Sequence, residues 1–168
     1  MSHTHIEKSI SSSIKIYSIP ERIWDNITNV KIEQFSDPFI FKILNVPKPL
    51  TAEIISEGEG GSRVAYFNTG KKFLQKIIVW KPMTEYSFTF NPEKGFRVGY
   101  FFELSEGIFR ILKGAYYLRQ EADGITLQLV TIYSLDKNIF VLFNLPVRLI
   151  LTSFQKYLLR FIKNNAEQ

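Results

Sequence analysis

Three tyrosines, one arginine and two glutamates carry the side-chain chemistry most worth weighing in this sequence. Tyr66, Tyr117 and Tyr133 lie in apolar, strand-like surroundings. A phenol buried there must find a hydrogen-bond partner, so each is a candidate to offer one to a bound molecule. Arg63 follows directly on a Gly-Gly turn; it is a candidate buried cation for an acidic head group, although an arginine so placed is more often solvated. Glu53 and Glu103 are acids that a general acid and base would use, and no spacing brings them together. His3 and His5 have a spacing that catches metals weakly, but no further histidine completes a zinc ligand set, so neither metal nor cofactor is expected. Phosphate loops, Gly-x-Ser-x-Gly elbows and His-Glu-x-x-His motifs do not occur. The glycines of residues 58–61 read as a hairpin turn.

The elements that must position these groups follow from periodicity. Residues 13–17 alternate as a half-buried strand after a polar lead, with residues 1–11 read as flexible. Ser18 and Glu21 have capping-box spacing with Pro20 in the first turn, and Ile23, Trp24 and Ile27 then make an apolar stripe, which predicts a short helix. A second short helix is expected over residues 30–35, stopped by Asp37-Pro38. From there to Pro49 the pattern is too interrupted to assign. Turn signals then divide a β-rich stretch into strands at residues 51–56, 62–68, 72–81, 84–91, 109–121 and 125–135. The connections are too short for parallel crossovers, so an antiparallel meander is expected. Residues 95–108 are left open between strand and aromatic loop.

Residues 145–164 form the clearest helix, with Val147, Leu151, Phe154, Leu158 and Phe161 on one face and Arg148, Thr152, Lys156, Arg160 and Lys163 opposite. Pro146 is expected in its first turn. The apolar run before it, residues 139–145, reads as core, with a lid over a cavity or a membrane-touching lip as the alternatives.

Composition narrows the function classes. The chain has 168 residues, no cysteine, fifteen Phe and an excess of five positive charges. Disulfides and thiolate sites are therefore excluded. The basic residues are scattered rather than gathered in a stripe, so no nucleic-acid partner is expected. The start lacks a signal-peptide core and the longest apolar run is too short to span a bilayer, which gives cytoplasmic location as the expectation. The basic helix face makes transient contact with anionic membrane a further one. Oligomeric state is not legible.

Strand, short helices, antiparallel strands and a long amphipathic helix, in that order, resemble the helix-grip superfamily. That group includes START lipid-transfer domains, the birch-pollen allergen and polyketide cyclase or dehydrase-like proteins (the SRPBCC group). Three stretches carry the likeness: residues 14–24, reading Ile-Lys-Ile-Tyr-Ser-Ile-Pro-Glu-Arg-Ile-Trp; residues 61–90, with the Trp80-Lys81-Pro82 turn; and residues 145–167. The resemblance implies one α+β domain over residues 1–168, a curved antiparallel sheet wrapped around the long C-terminal helix with two short helices after the first strand. It also implies a cavity between sheet and helix. No catalytic residue carries over from it.

Parity selects the expected lining. Ile125, Leu127, Leu129, Thr131 and Tyr133 share a face against Thr126 and Gln128, and Tyr86, Phe88 and Phe90 share another. In the strands at 62–68 and 72–81 both faces are about equally apolar, so the direction of Tyr66 and Trp80 stays open. The candidate lining is Tyr66, Trp80, Tyr86, Phe88, Phe90, Tyr117, Leu129, Tyr133, Phe143, Leu151, Phe154 and Leu158. Such a cavity suits a lipid, isoprenoid or polyketide-like molecule, held for carriage or sequestration. The alternatives are a cyclase or dehydrase-like enzyme acting in the same cavity, and a protein-interaction domain whose core is filled.

Overall fold

The computed structural model describes residues 4–31, 39–100, 102–104 and 107–168. Strand β1 (His5–Ile16) leads into helix α1 (Pro20–Thr28), the two-residue strand β2 (Val30–Lys31) and helix α2 (Phe39–Ile43). A meander follows: β3 (Pro49–Ser56), β4 (Ser62–Phe67), β5 (Lys72–Lys81), β6 (Glu85–Thr89) and the short β7 (Asn91–Pro92). The small hairpin β8 (Arg97–Val98) and β9 (Phe102–Glu103) precedes the long hairpin β10 (Phe109–Glu121) and β11 (Gly124–Asp136). Helix α3 (Phe140–Ala166) ends the chain.

The strands pair antiparallel in the order β1-β11-β10-β6-β5-β4-β3-β2, with β7 on β5. This is the expected curled antiparallel sheet gripping a long C-terminal helix, with two short helices after the first strand. The 12 residues of β1 pair with β11 without a slip, which sets Ile10, Ile14 and Ile16 opposite Thr131, Leu127 and Ile125 on the inner face. Elsewhere the ladder is interrupted at Ile77/Val79 in β5, at Ile111/Lys113 in β10 and twice along β3. An extra residue bends its strand and increases the local twist, and these bulges curl the sheet.

Helix α3 lies against β1 and β11 and touches α1 and α2. Gln155, fully buried in α3, donates from Nε2 to Thr131 Oγ1 (2.9 Å) and to the Ile10 carbonyl (3.3 Å), joining helix and sheet. The far end of α3 is held by Ser18 Oγ donating to the Ala166 carbonyl (2.6 Å) and by Lys163 Nζ donating to the Lys15 carbonyl (2.7 Å). Ile23 and Ile27 bury the inner face of α1, while Phe41 in α2 stacks on Phe154 of α3 at 5.9 Å. No helix among the described residues is long and apolar enough to cross a membrane.

Several expectations are corrected. The first strand starts at His5, not at residue 13, because the polar lead pairs with the far half of β11, so residues 5–11 of the start expected to be flexible are strand. Ser18 does not cap α1: Ile19 occupies the cap position without a side-chain bond, and the serine hydroxyl serves α3 instead. Val30 is strand rather than helix, paired with Ala52. The remainder of that expected helix lies largely outside the described residues, and the second short helix is α2. The long helix begins at Phe140, so the run at 139–145 forms its opening turns and Pro146 falls inside it. The expectation of core holds for part of that run: Ile139 and Phe140 pack against the core and Phe143 meets Phe102, whereas Val141, Leu142 and Leu145 stand exposed.

Candidate functional site

Between the concave face of the sheet and the inner face of α3 the apolar side chains fail to meet, leaving a cavity of about 110 Å³. Leu151, Phe154 and Leu158 of α3 form one wall, and Leu129 and Thr131 of β11 form the adjoining one. Phe88 and Phe90 of β6 and the residue after it, Tyr116 of β10 and Phe73 of β5 form the aromatic side. Val46 and Pro47 from the connection before β3, Val98 of β8, and residues of β2, β3 and β4 complete the lining.

Six of the expected lining residues are brought together: Phe88, Phe90, Leu129, Leu151, Phe154 and Leu158. The other six lie elsewhere. Tyr66 points outward and is 41% exposed, because Arg63, Ala65 and Phe67 take the inner face of β4. Trp80 turns inward but packs edge-on against Trp24 (5.1 Å) and Tyr86 (5.6 Å), away from the cavity. Tyr86 is wholly buried in that aromatic cluster. Tyr133 is buried too, donating to Asn144 Oδ1 at 2.7 Å, with its phenol held above the usual tyrosine range by burial. Phe143 sits edge-on to Phe102 at 5.1 Å. Tyr117 pairs with Gln128 and Glu85 on the outer side of the sheet.

The bulge in β10 explains Tyr117. Ile111 lies opposite the inward Tyr133, and continued alternation would carry the inner face through 113 and 115 to Tyr117. The extra residue at Leu112 shifts the parity, so Gly114, Tyr116 and Leu118 face inward. The bulge at Ile78 likewise puts Trp80 on the same face as Ile77, opposite Tyr86. Gly114 has its own reason: a Cβ there would lie 2.8 Å from the tip of the Phe88 ring and 3.2 Å from Phe90. Only a residue without a side chain lets those rings lie over the strand.

A polar group stands in this apolar wall. Arg63, 4% exposed, lines the cavity beside Gln75, its cross-strand neighbour, which is buried as well. This reverses the solvated position expected for an arginine after a glycine turn. Among the described residues no carboxylate pairs with it; Arg63 Nε and Gln75 Oε1 are buried without a hydrogen-bond partner. The guanidinium lies over the rings of Tyr86 (5.6 Å) and Phe88 (5.8 Å). Such contacts give roughly 2 kcal/mol each when desolvated, while removing an ion from water costs several kcal/mol even after relaxation. The rings offset that cost only in part. Tyr116 does not supply a counter-charge: burial pushes its phenol up to about 12, the Arg63 charge opposing that rise.

Neither acid proposed for proton transfer reaches the cavity. Glu53 is exposed on β3, and Glu103 Oε1 accepts from the Gly95 amide at 2.7 Å. His5 Nε2 lies 2.6 Å from the Gly107 carbonyl oxygen, and His3 is outside the described residues. No cluster of three metal-ligating side chains forms among the described residues.

Two predictions follow from this geometry. Gly114→Ala drives the Phe88 ring toward the cavity; a net loss of about 1 kcal/mol is expected in denaturant unfolding, with strain exceeding the entropic gain of the added Cβ. A phenol whose pKa rises on folding contributes stability fully present below the unfolded value near 10 and lost as pH rises toward 12. Tyr116→Phe is therefore expected to unfold with less alkaline destabilisation over that window, by about 2 to 3 kcal/mol.

No protein-family model and no curated protein sequence matches the chain. Solved structures do. A protein from Chromobacterium violaceum superposes with a TM-score of 0.58 at 13% identity, covering 95% of this chain and 97% of the other. The di-domain aromatase/cyclase BexL, from the BE-7585A biosynthetic pathway, gives 0.59 at 13% identity over 96% of this chain and 50% of its own. A truncated norcoclaurine synthase from Thalictrum flavum gives 0.55 at 14% identity over 96% and 97%. At these identities the likeness is one of fold, a curled antiparallel sheet gripping a long C-terminal helix.

Proposed function

We propose that the chain binds a small hydrophobic molecule in the cavity between the sheet and α3, for carriage or sequestration. The observation that carries this reading is the void itself: apolar groups of both layers stop short of one another over about 110 Å³. A void forfeits the dispersion contacts its lining would otherwise make, and an apolar guest restores them. The volume bounds the guest. A dry protein cavity of about 150 Å³ takes benzene, so with the lining at rest one ring or a short chain is the natural fit. A lipid, isoprenoid or polyketide-like ligand requires part of the lining to yield.

Binding is favoured over turnover by the chemistry of the wall. Its described lining holds no carboxylate, imidazole or amine, and Tyr116 stays protonated at neutral pH. General acid–base catalysis near pH 7 would lack a group poised to exchange a proton. The cyclase-like alternative draws support from the fold, since one norcoclaurine synthase neighbour is bound to a transition-state analogue. The test is calorimetric titration with toluene. The native chain is expected to bind it, and Leu129→Trp, which fills the cavity, is expected to lose binding while keeping its circular dichroism spectrum. Equal uptake by both proteins, or none by the native chain, rejects the reading.

A second contact is proposed from the start of α3, where Val141 and Leu142 are 88% and 75% exposed beside exposed Leu145, Leu149 and Arg148. An apolar tip next to a basic helix face suits a transient landing on anionic membrane. Sedimentation with phosphatidylserine vesicles is expected to pull down the native chain at low salt and less at high salt, and Leu142→Asp is expected to weaken it. Salt-independent binding, or none, removes the proposal.

A further inference from the structure

An apolar cavity that needs only to hold hydrocarbon has no use for a buried guanidinium. Arg63 nevertheless sits in its wall with Nε lacking an acceptor, and the described lining holds no acidic side chain to pair with it. The adjacent polar atom, Gln75 Oε1, is also buried without a partner. Both side chains come from the inner faces of paired strands, directly opposite one another, so their placement is fixed by the sheet rather than by a loop. Tyr86 and Phe88 hold the guanidinium from the side. Across the cavity, Leu129, Leu151, Phe154 and Leu158 offer only hydrocarbon. The cavity is thus polar and cationic at Arg63 and Gln75 and apolar along α3 and at Leu129 of β11, where the Thr131 hydroxyl already accepts from Gln155.

We propose that the guest is an apolar carboxylic acid bound as its anion, with the carboxylate on Arg63 and the ring or short chain directed toward α3. The proposal rests on the cavity reading above and adds the ligand class. A carboxylate matches the planar fork of a guanidinium, and a charge-assisted pair formed away from water is stronger than a neutral hydrogen bond. Tyr116, which remains a neutral phenol beside the guanidinium, leaves that positive charge uncancelled for the incoming anion. Gln75 keeps its partnerless oxygen next to the pair, where a hydroxyl on a substituted acid would donate to it.

Phenylacetate and its neutral counterpart phenylacetamide test this, titrated calorimetrically at neutral pH into the full chain. The native protein is expected to bind the acid at least about tenfold more tightly than the amide, a preference of the size charged hydrogen bonds give. That preference should persist at high salt, because a buried pair is little screened. In Arg63→Met the acid should fall to the affinity of the amide while the amide is unaffected, and the empty variant should melt at a higher temperature than the native chain, having lost an unpaired buried cation. If Arg63→Met does not fold, Arg63→Lys is expected to reduce the preference several-fold, since a point charge replaces the fork.

Equal binding of acid and amide by the native protein overturns the ligand class and leaves the cavity reading standing, with water or the rings satisfying Arg63. A preference that survives in Arg63→Met, or disappears in salt, assigns the anion to another cation and overturns it as well. Failure of both probes overturns the proposal, and the cavity reading falls with it only if toluene fails as well.

Discussion

The buried amide of Gln155 holds α3 to the sheet at Thr131 and Ile10, on the side where β1 and β11 run in uninterrupted register. Everything about the cavity depends on that attachment being one-sided. A helix fixed to the straight half of the sheet cannot follow the other half as its bulges curl it away, and residues such as Phe154 and Leu158 are too short to cross the gap. The amide is itself only half satisfied, since Gln155 Oε1 has no partner. Its two donated bonds fix where the helix lies; apolar packing around it supplies most of the stability.

A tension runs through the cavity wall. The hydrophobic effect favours shrinking the void until it disappears, and fifteen phenylalanines provide ample bulk to fill it. Two features oppose that closure. Gly114 keeps the strand beneath Phe88 bare, so the ring settles back against the backbone rather than forward into the space. Arg63 occupies the wall with a charge that hydrocarbon cannot solvate. Both sit on the inner face of the sheet, opposite the apolar helix side chains.

Much of the architecture was legible from periodicity alone. The strand Lys72–Lys81 and the strand Phe109–Glu121 were read with their observed ends, and the inward face of β11 followed from simple alternation. Half of the expected lining lies on the cavity. The misses share a physical cause, which is that alternation holds only while a ladder keeps its register. One extra residue in β10 exchanged Tyr116 for Tyr117, and the unassigned connections concealed Val46, Pro47 and Phe96. Arg63 was visible in the alternation Arg63, Ala65, Phe67, but Val64 and Tyr66 made the opposite face equally apolar. Nothing local chose between them. The exposed start of α3 was hidden for the opposite reason, because apolar composition is an unreliable guide to burial when no partner surface is in reach.

The bulge at Leu112 bears on how the cavity can diversify. The extra residue is the one without a partner on β11, so deleting it would leave every other pairing of β10 as it stands. Ile111, Gly114, Tyr116 and Leu118 would keep the inner face, and what would go is the bend and added twist that the extra residue gives the strand. The curl that opens the space and the side chains that line it are therefore separable: loss of a single codon alters the first, and point substitutions alter the second.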